Sequence, residues 1–287
     1  FAIAASDRVA GKASAAATFS FTTTAGGALA TGSTITLTYP SSFFSSTGTP
    51  GVQISGGGPP TGTVATPTST QIVITIAAQS IAASTAVTVT VTGLTMGAAT
   101  AGSSNGITVA TSADPTASSG VSSGVIGGQV TSPSFAIATS DRVAGKTSAA
   151  ATLSFTTTAG GALASGSNIT LTYPSGFFAS AGSPAATING VGGGAVATPT
   201  STQIVITTGA AVAASTAVTV TVTGLTMGAA TAESSNGITI ATSADRTASS
   251  GVSSGVIGGQ VMSPSFAIAT SDRVAGKTSA AATLSFT

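Results

Sequence analysis

The chain has 287 residues, of which only 5% are charged, and its formal net charge is +1. Ordinary soluble domains carry about a quarter charged residues, so this chain is unusually poor in charge. It therefore has neither the basic footprint that nucleic acid requires nor an acidic tail. The 42% of hydrophobic residues excludes a chain that is disordered through low hydropathy and self-repulsion. Since Ser, Thr or Gly interrupts every apolar run, we also expect no membrane insertion.

Short runs with strict alternation of apolar and hydroxyl residues indicate β-strands along the whole chain. Gly- and Pro-containing stretches separate the runs, as turn chemistry requires. In the first copy, the apolar positions of five such runs are, in chain order, Ala17, Phe19 and Phe21; Ile35, Leu37 and Tyr39; Ile72, Ile74 and Ile76; Val87, Val89 and Val91; and Ile107 and Val109.

The sequence repeats itself at domain length. The segment that begins at Phe1 returns almost unchanged at Phe135 and begins a third time at Phe266. We therefore predict β-sandwich repeats at 1–134 and 135–265 and the start of a third at 266–287, in an array that continues beyond residue 287. Both length differences between the copies fall in Gly/Ala-rich connections, which supports fixed strands between variable loops.

About seven or eight short strands per copy predict an all-β fold of tandem immunoglobulin-like antiparallel β-sandwich domains arranged as a linear array. Residues 266–287 supply about two strands, too few to fold alone. We expect them to pair with a neighbouring repeat, with the strand SFAIATSD crossing the boundary by β-augmentation.

The residue types argue against catalysis. The chain has no His and no Cys, and only six carboxylates, so the commonest general base and the thiolate nucleophile are missing. We predict no catalytic residue, no cofactor and no metal site. A paired-carboxylate or Ser/Lys site, and a calcium site built from backbone and hydroxyl oxygens, remain open as minor alternatives.

The motif SDRVAGK carries most of the charge. Its first interpretation is a polar turn in which Gly11, Gly145 and Gly276 take a left-handed conformation. Its second is an inter-repeat junction, in which Asp and Arg side chains bridge neighbouring repeats and fix their angle. The junction residues predicted by the second interpretation are Asp141, Arg142, Lys146, Asp272, Arg273 and Lys277.

Several positions are candidates for covalent glycans. Asn168-Ile169-Thr170 is an N-glycosylation sequon at the start of a predicted strand. The Thr/Pro-rich segments offer O-glycosylation candidates at Thr66, Thr68, Thr198 and Thr200. The alternative is that these hydroxyls only hydrate an uncharged surface. A flat Thr array for ice binding is a further alternative, although such arrays recur at a much shorter period.

The runs GSTITLTYPSSFF, STAVTVTVTGLTMGAAT and NGITVATSAD resemble the tandem immunoglobulin-like repeats of large extracellular microbial and algal surface or filament proteins. The resemblance implies a glycosylated structural repeat of an extracellular filament or fibril, with a mechanical and scaffolding role. The alternative is the stalk of a cell-surface adhesin or a surface-layer protein. The expected partners are further copies of the repeat, in the same or neighbouring chains, and covalent glycans.

Overall fold

A computed structural model describes residues 1–55, 62–78 and 80–287. Strands dominate in both full copies, and one 3-10 helix stands near the start of each copy. The first copy contains β1 (Ala2–Ile3), a 3-10 helix (Ala5–Asp7), β2 (Ala15–Thr22), β3 (Thr34–Thr38), β4 (Gly51–Ser55), β5 (Gly62–Val64), β6 (Gln71–Ile76), β7 (Ala86–Leu94) and β8 (Thr108–Thr111).

The second copy repeats this order. It contains β9 (Thr131–Ile137), a 3-10 helix (Thr139–Asp141), β10 (Ala149–Thr156), β11 (Asn168–Thr172), β12 (Ala185–Ile188), β13 (Val191–Gly192), β14 (Gln203–Thr207), β15 (Ala217–Leu225) and β16 (Thr239–Thr242). The third copy contributes β17 (Ser265–Ile268), a 3-10 helix (Thr270–Asp272) and β18 (Ala282–Ser285). No helix within the described ranges is long and apolar enough to cross a membrane.

Each full copy forms two antiparallel sheets. In the first copy the strand orders are β1-β2-β7-β4 and β5-β6-β3-β8; in the second they are β13-β12-β15-β10-β9 and β14-β11-β16. In the first copy, from β2 onwards, the chain passes to the opposite sheet at each step except between β5 and β6. In the second copy, from β10 onwards, the exception is the step from β12 to β13. The prediction of an all-β, immunoglobulin-like antiparallel sandwich is therefore confirmed, with a strand order of its own, and the linear array stays a prediction.

Alternation of residue type explains why the sheets pack face to face. In β7, Val87, Val89 and Val91 are buried, and the hydroxyls between them lie on the outer face. There Thr90 Oγ1 lies 3.0 Å from Thr18 Oγ1, and Thr88 pairs with Ser20 in the same way. Such cross-strand pairs stabilise a sheet, so the Thr rows have a structural role on the outer face.

A buried aromatic cluster follows β3 in the first copy and β11 in the second. The Tyr39 hydroxyl donates to the carbonyl of Thr68 or Gln71, at 2.9 and 3.0 Å, and its ring meets Phe44 edge to face at 5.0 Å between centroids. Tyr173 repeats both contacts in the second copy. Burial raises the pKa of both tyrosines well above the usual value, because the charged phenolate would lose its hydration.

Each copy has its own hydrophobic core, and the two cores are very close along the chain. Ile126 is fully buried in the first core, and Val130 is 2% exposed in the second. Only Gly127–Gln129 separates them. Four residue steps span at most about 14 Å when fully extended, so the connection between the repeats is short.

The strand at the boundary begins earlier than expected. β9 starts at Thr131, four residues before the predicted boundary at Phe135, and Thr131 pairs with Thr156. The whole β9 ladder runs along β10 of the same repeat. In the third copy, β17 likewise pairs with β18. Phe135–Ile137 therefore pairs within the second copy and Phe266–Ile268 within the third, so these residues do not form the ladder with the preceding repeat that we expected. The residues that cross the predicted boundary are Thr131–Ser134, which precede it and pair with β10.

Candidate functional site: the junction between the repeats

Two consecutive glycines join the repeats, and each is held by a different one. The Gly127 amide donates to the carbonyl of Arg8, at 3.1 Å, and its carbonyl accepts from Ala10, at 2.7 Å. Both partners belong to the first repeat. The Gly128 amide donates to the Asp245 side chain, at 2.8 Å, and its carbonyl accepts from the Thr247 amide, at 3.2 Å. The connection is thus hydrogen-bonded from both sides at its centre.

Asp245 is the acceptor on the second repeat, and it is completely buried. Its carboxylate accepts from the Gly128 amide and from both the amide (2.9 Å) and the hydroxyl of Thr158. Its own amide donates to Thr242 Oγ1, at 2.8 Å, which fixes the turn that presents the carboxylate. A buried charge is tolerated only when it is hydrogen-bonded, and here one of the donors comes from the other repeat.

Close backbone approach makes glycine necessary on both sides of the junction. A Cβ added to Gly127 would lie 1.9 Å from the Ala244 carbonyl oxygen of the second repeat. A Cβ added to Gly160 would lie 1.9 Å from the Ile126 carbonyl oxygen of the first. Both distances are far below any van der Waals contact, so only glycine allows the two backbones to meet here.

The two residues after Gly128 add side-chain contacts. Gln129 Nε2 donates to the Ala248 carbonyl, at 2.6 Å. Val130 belongs to the same buried cluster as Phe155 and Ile240, so the last apolar residue of the connection is part of the core of the second repeat. We call Gly127–Ser134, which includes the first residues of β9, the donor segment, because it leaves the first repeat and completes the second.

The first repeat carries the equivalent acceptor residues, Asp114 and Thr24. The Asp114 carboxylate accepts from the amide (3.0 Å) and the hydroxyl of Thr24, as Asp245 does from Thr158. These bonds hold the pKa of Asp114 below its usual value. Asp114 is nevertheless half-buried where Asp245 is fully buried, and Gly26 is exposed where Gly160 is buried. The greater burial of Asp245 and Gly160 shows that the donor segment covers these two residues in the second repeat.

The SDRVAGK motif forms the predicted turn. Gly11, Gly145 and Gly276 have φ of +71°, +71° and +75°, and the Lys146 amide donates to the Val143 carbonyl, at 3.0 Å. Asp141 Oδ2 accepts from the Ala150 amide, at 3.2 Å, at the start of β10. The interpretation as a polar turn is therefore confirmed.

The bonds of the motif do not form the expected ion pair across the boundary. Arg142 Nη1 donates to the carbonyls of Ser254 and Val256, at 2.8 and 3.4 Å, and its Nε donates to the Ile137 carbonyl, at 3.2 Å. All three partners belong to the second repeat. Arg8 makes the matching bonds to Ser123 and Val125 in the first. In each repeat the guanidinium therefore binds the C-terminal segment of that same repeat.

The remaining predicted junction residues also make local contacts. Lys277 Nζ lies 2.7 Å from Asp272 Oδ1, and Arg273 Nε donates to the Ile268 carbonyl, at 3.0 Å. This ion pair holds the pKa of Asp272 below its usual value. Lys146 contributes its backbone carbonyl, which accepts from the Met227 amide. None of these contacts leaves the copy to which the residues belong.

Sequence reasoning missed Asp245, Gly128 and Gly160 as junction residues. The sequence did contain an indication of these contacts, because the segments IGGQV, TTTAGG and TSAD are identical in both full copies. None of the three has the alternation of a strand, so their identity is not explained by the core. An invariant acid in a chain with so little charge indicates a specific partner, and paired glycines indicate close backbone approach.

The glycosylation candidates differ in how their side chains are engaged. Asn168 is exposed at the start of β11, and its Oδ1 accepts from Thr207 Oγ1, at 3.4 Å. Thr68 and Thr200 each use their hydroxyl to fold a turn, donating to the carbonyls of Gln71 and Gln203. Thr66 and Thr198 are exposed beside them. Glycan occupancy stays a prediction for all of them. Across the described part of the chain, no three Asp or Glu side chains come together as a metal site would require.

No family model and no curated protein sequence matches the chain. Among solved structures, it is similar to the C-terminal domain of the AgI/II polypeptide BspA of Streptococcus agalactiae, with 8% identity, 85% of this chain and 93% of that chain covered, and a TM-score of 0.40. A further BspA C-terminal structure matches with 9% identity, the same coverage and the same TM-score. An anti-sigma factor domain-containing protein matches with 10% identity, coverage of 86% and 85%, and a TM-score of 0.20. At these TM-scores the likeness supports no conclusion about family or function.

Proposed function

We propose that this chain is a structural part of an extended extracellular protein, in which the repeats act as stiff spacers. The observation that carries the proposal is the pair Gly127 and Gly128, whose backbone groups are bonded to the first and second repeat respectively. A flexible linker leaves such groups to water. A connection without a free residue at its centre transmits orientation and force from one sandwich to the next.

The sequence of the junction supports repetition of this geometry. Donor residues 127–134 return at 258–265 with one change, Thr131 to Met262. Because Thr131 is exposed in the junction, a methionine at that place leaves the contacts of the other residues intact. When each repeat meets the next through one geometry, the result is an array of regular rise and rotation, as a filament needs.

The surface is consistent with an extracellular setting. In a chain with 5% charged residues, hydroxyls on the outer faces of the sheets provide hydration, and glycans on exposed Asn168, Thr66 and Thr198 would add to it. In the second candidate function, the repeats form the stalk of an adhesin or part of a surface layer. A stiff array serves that role equally, so the two candidates differ in what the repeats carry.

Electron microscopy of the source cells tests the proposal. Antibodies against the two-repeat unit, detected with gold particles, are expected to label extended surface structures at regular intervals. Label along the whole length of free filaments favours the filament, and label between the cell and a distal head favours the stalk. Label confined to the interior of the cell would contradict both candidates.

A further inference from the structure

The first and last segments of the second repeat lie side by side and run in the same direction. Near the start of the repeat, Gln129 pairs with Thr247 in a parallel bridge. Further along, Val143 pairs with Gly258 in a second parallel bridge. The segment by which the chain enters the sandwich is therefore in contact, at two separate places, with the segment by which it leaves.

The contact at the end of the repeat is made by backbone groups and one side chain together. The Ala144 amide donates to the Gly258 carbonyl, at 2.8 Å, and the Gly258 amide donates to the Arg142 carbonyl, at 3.0 Å. The Arg142 guanidinium adds its bonds to the carbonyls of Ser254 and Val256. Hydrogen bonds from a charged donor are stronger than those between neutral groups. We call this set of contacts the exit clamp.

The first repeat has an exit clamp of the same construction. Val9 and Gly127 form the parallel bridge, and the Ala10 amide donates to the Gly127 carbonyl, at 2.7 Å. The Arg8 guanidinium donates to the Ser123 carbonyl, at 2.8 Å. The residue after Gly127 is already bonded to the second repeat, so a single peptide bond joins this clamp to the next sandwich without slack.

A glycine in each exit clamp leaves room for the guanidinium. A Cβ added to Gly255 would lie 2.1 Å from Arg142 Nη1, and one added to Gly124 would lie 2.4 Å from Arg8 Nη1. Both glycines have positive φ, of +67° and +70°. The two copies therefore share the arginine, the carbonyls that it binds and the space that it needs.

Tension along the chain acts on these contacts in shear. β9 begins opposite Thr156 at the end of β10 and finishes opposite Ala151, so Gly128 and the exit clamp lie beyond opposite ends of this ladder. A pull that enters at Gly128 and leaves after Gly258 draws the two sides of the clamp past each other. All the bonds of the clamp are then loaded at once, whereas the bonds of a strand that is peeled from its end break one after another.

We propose that the exit clamp is the element of each repeat that resists tension, with its arginine as the principal contact. Tension passes from Gly128 along the backbone to Ala144 and across the clamp to Gly258, so the buried core is loaded only after the clamp has failed. The inference rests on the proposed function, because only a chain under tension uses such an element. It adds which contacts set the resistance of a repeat.

Single-molecule stretching of the 287-residue protein tests the inference. Ala2→Cys and Ser265→Cys, at exposed places, provide attachment points in a chain that has no other cysteine. Magnetic tweezers hold the protein at constant force and record how long each repeat survives. Each sandwich should unfold in one step that lengthens the chain by about 400 Å.

Arg142→Ala should shorten the lifetime of one of the two repeats about tenfold or more and leave the other unchanged. Arg8→Ala should do the same to the other repeat. Arg142→Lys, which keeps the charge and the aliphatic stem but loses the guanidinium fork, is a milder second variant. It should shorten the same lifetime, so the test does not depend on the folding of the alanine variant.

Tyr173→Phe is the matched control in the second repeat. It removes hydroxyl bonds to the carbonyls of Thr200 and Gln203, which lie outside the clamp. Lifetime under force depends on the contacts that are lost on the way to the transition state. This variant should therefore lower stability in chemical denaturant, while its lifetime under force changes by less than about twofold.

Two results would overturn the inference. One is an unchanged lifetime in the Arg142 variants, and the other is equal shortening by Arg142→Ala and Tyr173→Phe, because lifetime would then follow overall stability. Neither result affects the cell-surface location that microscopy tests. Label confined to the interior of the cell would in turn contradict the proposed function without changing the measured lifetimes, so the two proposals can fail separately.

Discussion

The amide of Gly128 lies 2.8 Å from Oδ1 of Asp245, and this bond joins the first repeat to a carboxylate that is buried in the second. The residue before Gly128 is bonded in the same way to the first repeat. Consecutive residues therefore belong to different domains, and the boundary between them is a single peptide bond. The mechanical behaviour of the chain follows from this arrangement.

Removal of the buried carboxylate should destabilise the second repeat. Asp245→Ala leaves the amides of Gly128 and Thr158 without their acceptor in a buried place, which we expect to lower the free energy of unfolding by about 3 kcal/mol. Chemical denaturation, followed separately for each repeat, measures the loss. Asp114→Ala is the matched control, because it removes the equivalent Thr24 bonds at a carboxylate that is only half-buried. Its effect should be clearly smaller, and equal losses would contradict our assignment of the junction bond.

A single methyl group should open the junction. Gly160→Ala places its Cβ 1.9 Å from the Ile126 carbonyl oxygen, so the backbones must separate. Since each repeat has its own core, both should remain folded. Hydrogen exchange should show loss of protection at the Gly128 amide. Gly26→Ala makes the equivalent change where nothing lies within 4 Å and should leave the protection unchanged.

The arginine that matters for this junction is expected to be Arg8 and not Arg142. Arg8 holds the carbonyls of Ser123 and Val125, immediately before Gly127, and its own carbonyl accepts from Gly127. Arg8→Ala should raise hydrogen exchange over residues 125–129, and Arg8→Lys should restore little, because an ammonium lacks the guanidinium fork. Arg142→Ala should affect residues 254–258 instead. Equal effects of the two alanine variants on residues 125–129 would contradict this division.

The buried tyrosines should make both repeats sensitive to alkali. Burial raises the pKa of Tyr39 and Tyr173 in the folded state above the unfolded value of about 10. The stability that this difference provides is complete below about pH 10 and is lost as the pH rises above it. Tyrosinate absorbance and circular dichroism should therefore change together, at a pH above 10. Tyrosinate that forms near pH 10 while the dichroism stays native would contradict the burial.

Tyr39→Phe separates the two repeats in the same measurement. It removes the first repeat's only tyrosine and the hydroxyl that bonds to Thr68 and Gln71. The remaining tyrosinate signal then reports the second repeat alone, through Tyr173. The loss of one buried hydroxyl should lower the stability of the first repeat by about 1 kcal/mol.

The strands were predictable because each has one buried and one hydrated face. Val87, Val89 and Val91 show the alternation directly, and the repeated copies showed which segments tolerate a change of length. The sequence also indicated the left-handed turn at Gly11 and its equivalents, since SDRVAGK is a polar segment with one glycine between two predicted strands.

The junction was not predictable in the same way, because its contacts are made by backbone groups and one acid. We predicted the junction at the charged motif SDRVAGK, but the Arg142 guanidinium donates to carbonyls of its own repeat. Asp245 is separated from Gly128 by more than a hundred residues, and no periodicity connects them. Tertiary packing sets the strand with which β9 pairs, and the residue alternation within a single strand does not identify its neighbour.

We expect the two repeats to keep a fixed orientation relative to each other. The chain has no cysteine, so Ser46→Cys and Ser180→Cys, at equivalent exposed places in the two repeats, allow spin labels to be attached to these positions alone. Pulsed electron paramagnetic resonance then measures the distribution of distances between them. A single narrow distribution, which broadens in Gly160→Ala and not in Gly26→Ala, is the predicted result. A broad distribution in the protein without either glycine substitution would show that the repeats move freely and would contradict the claim.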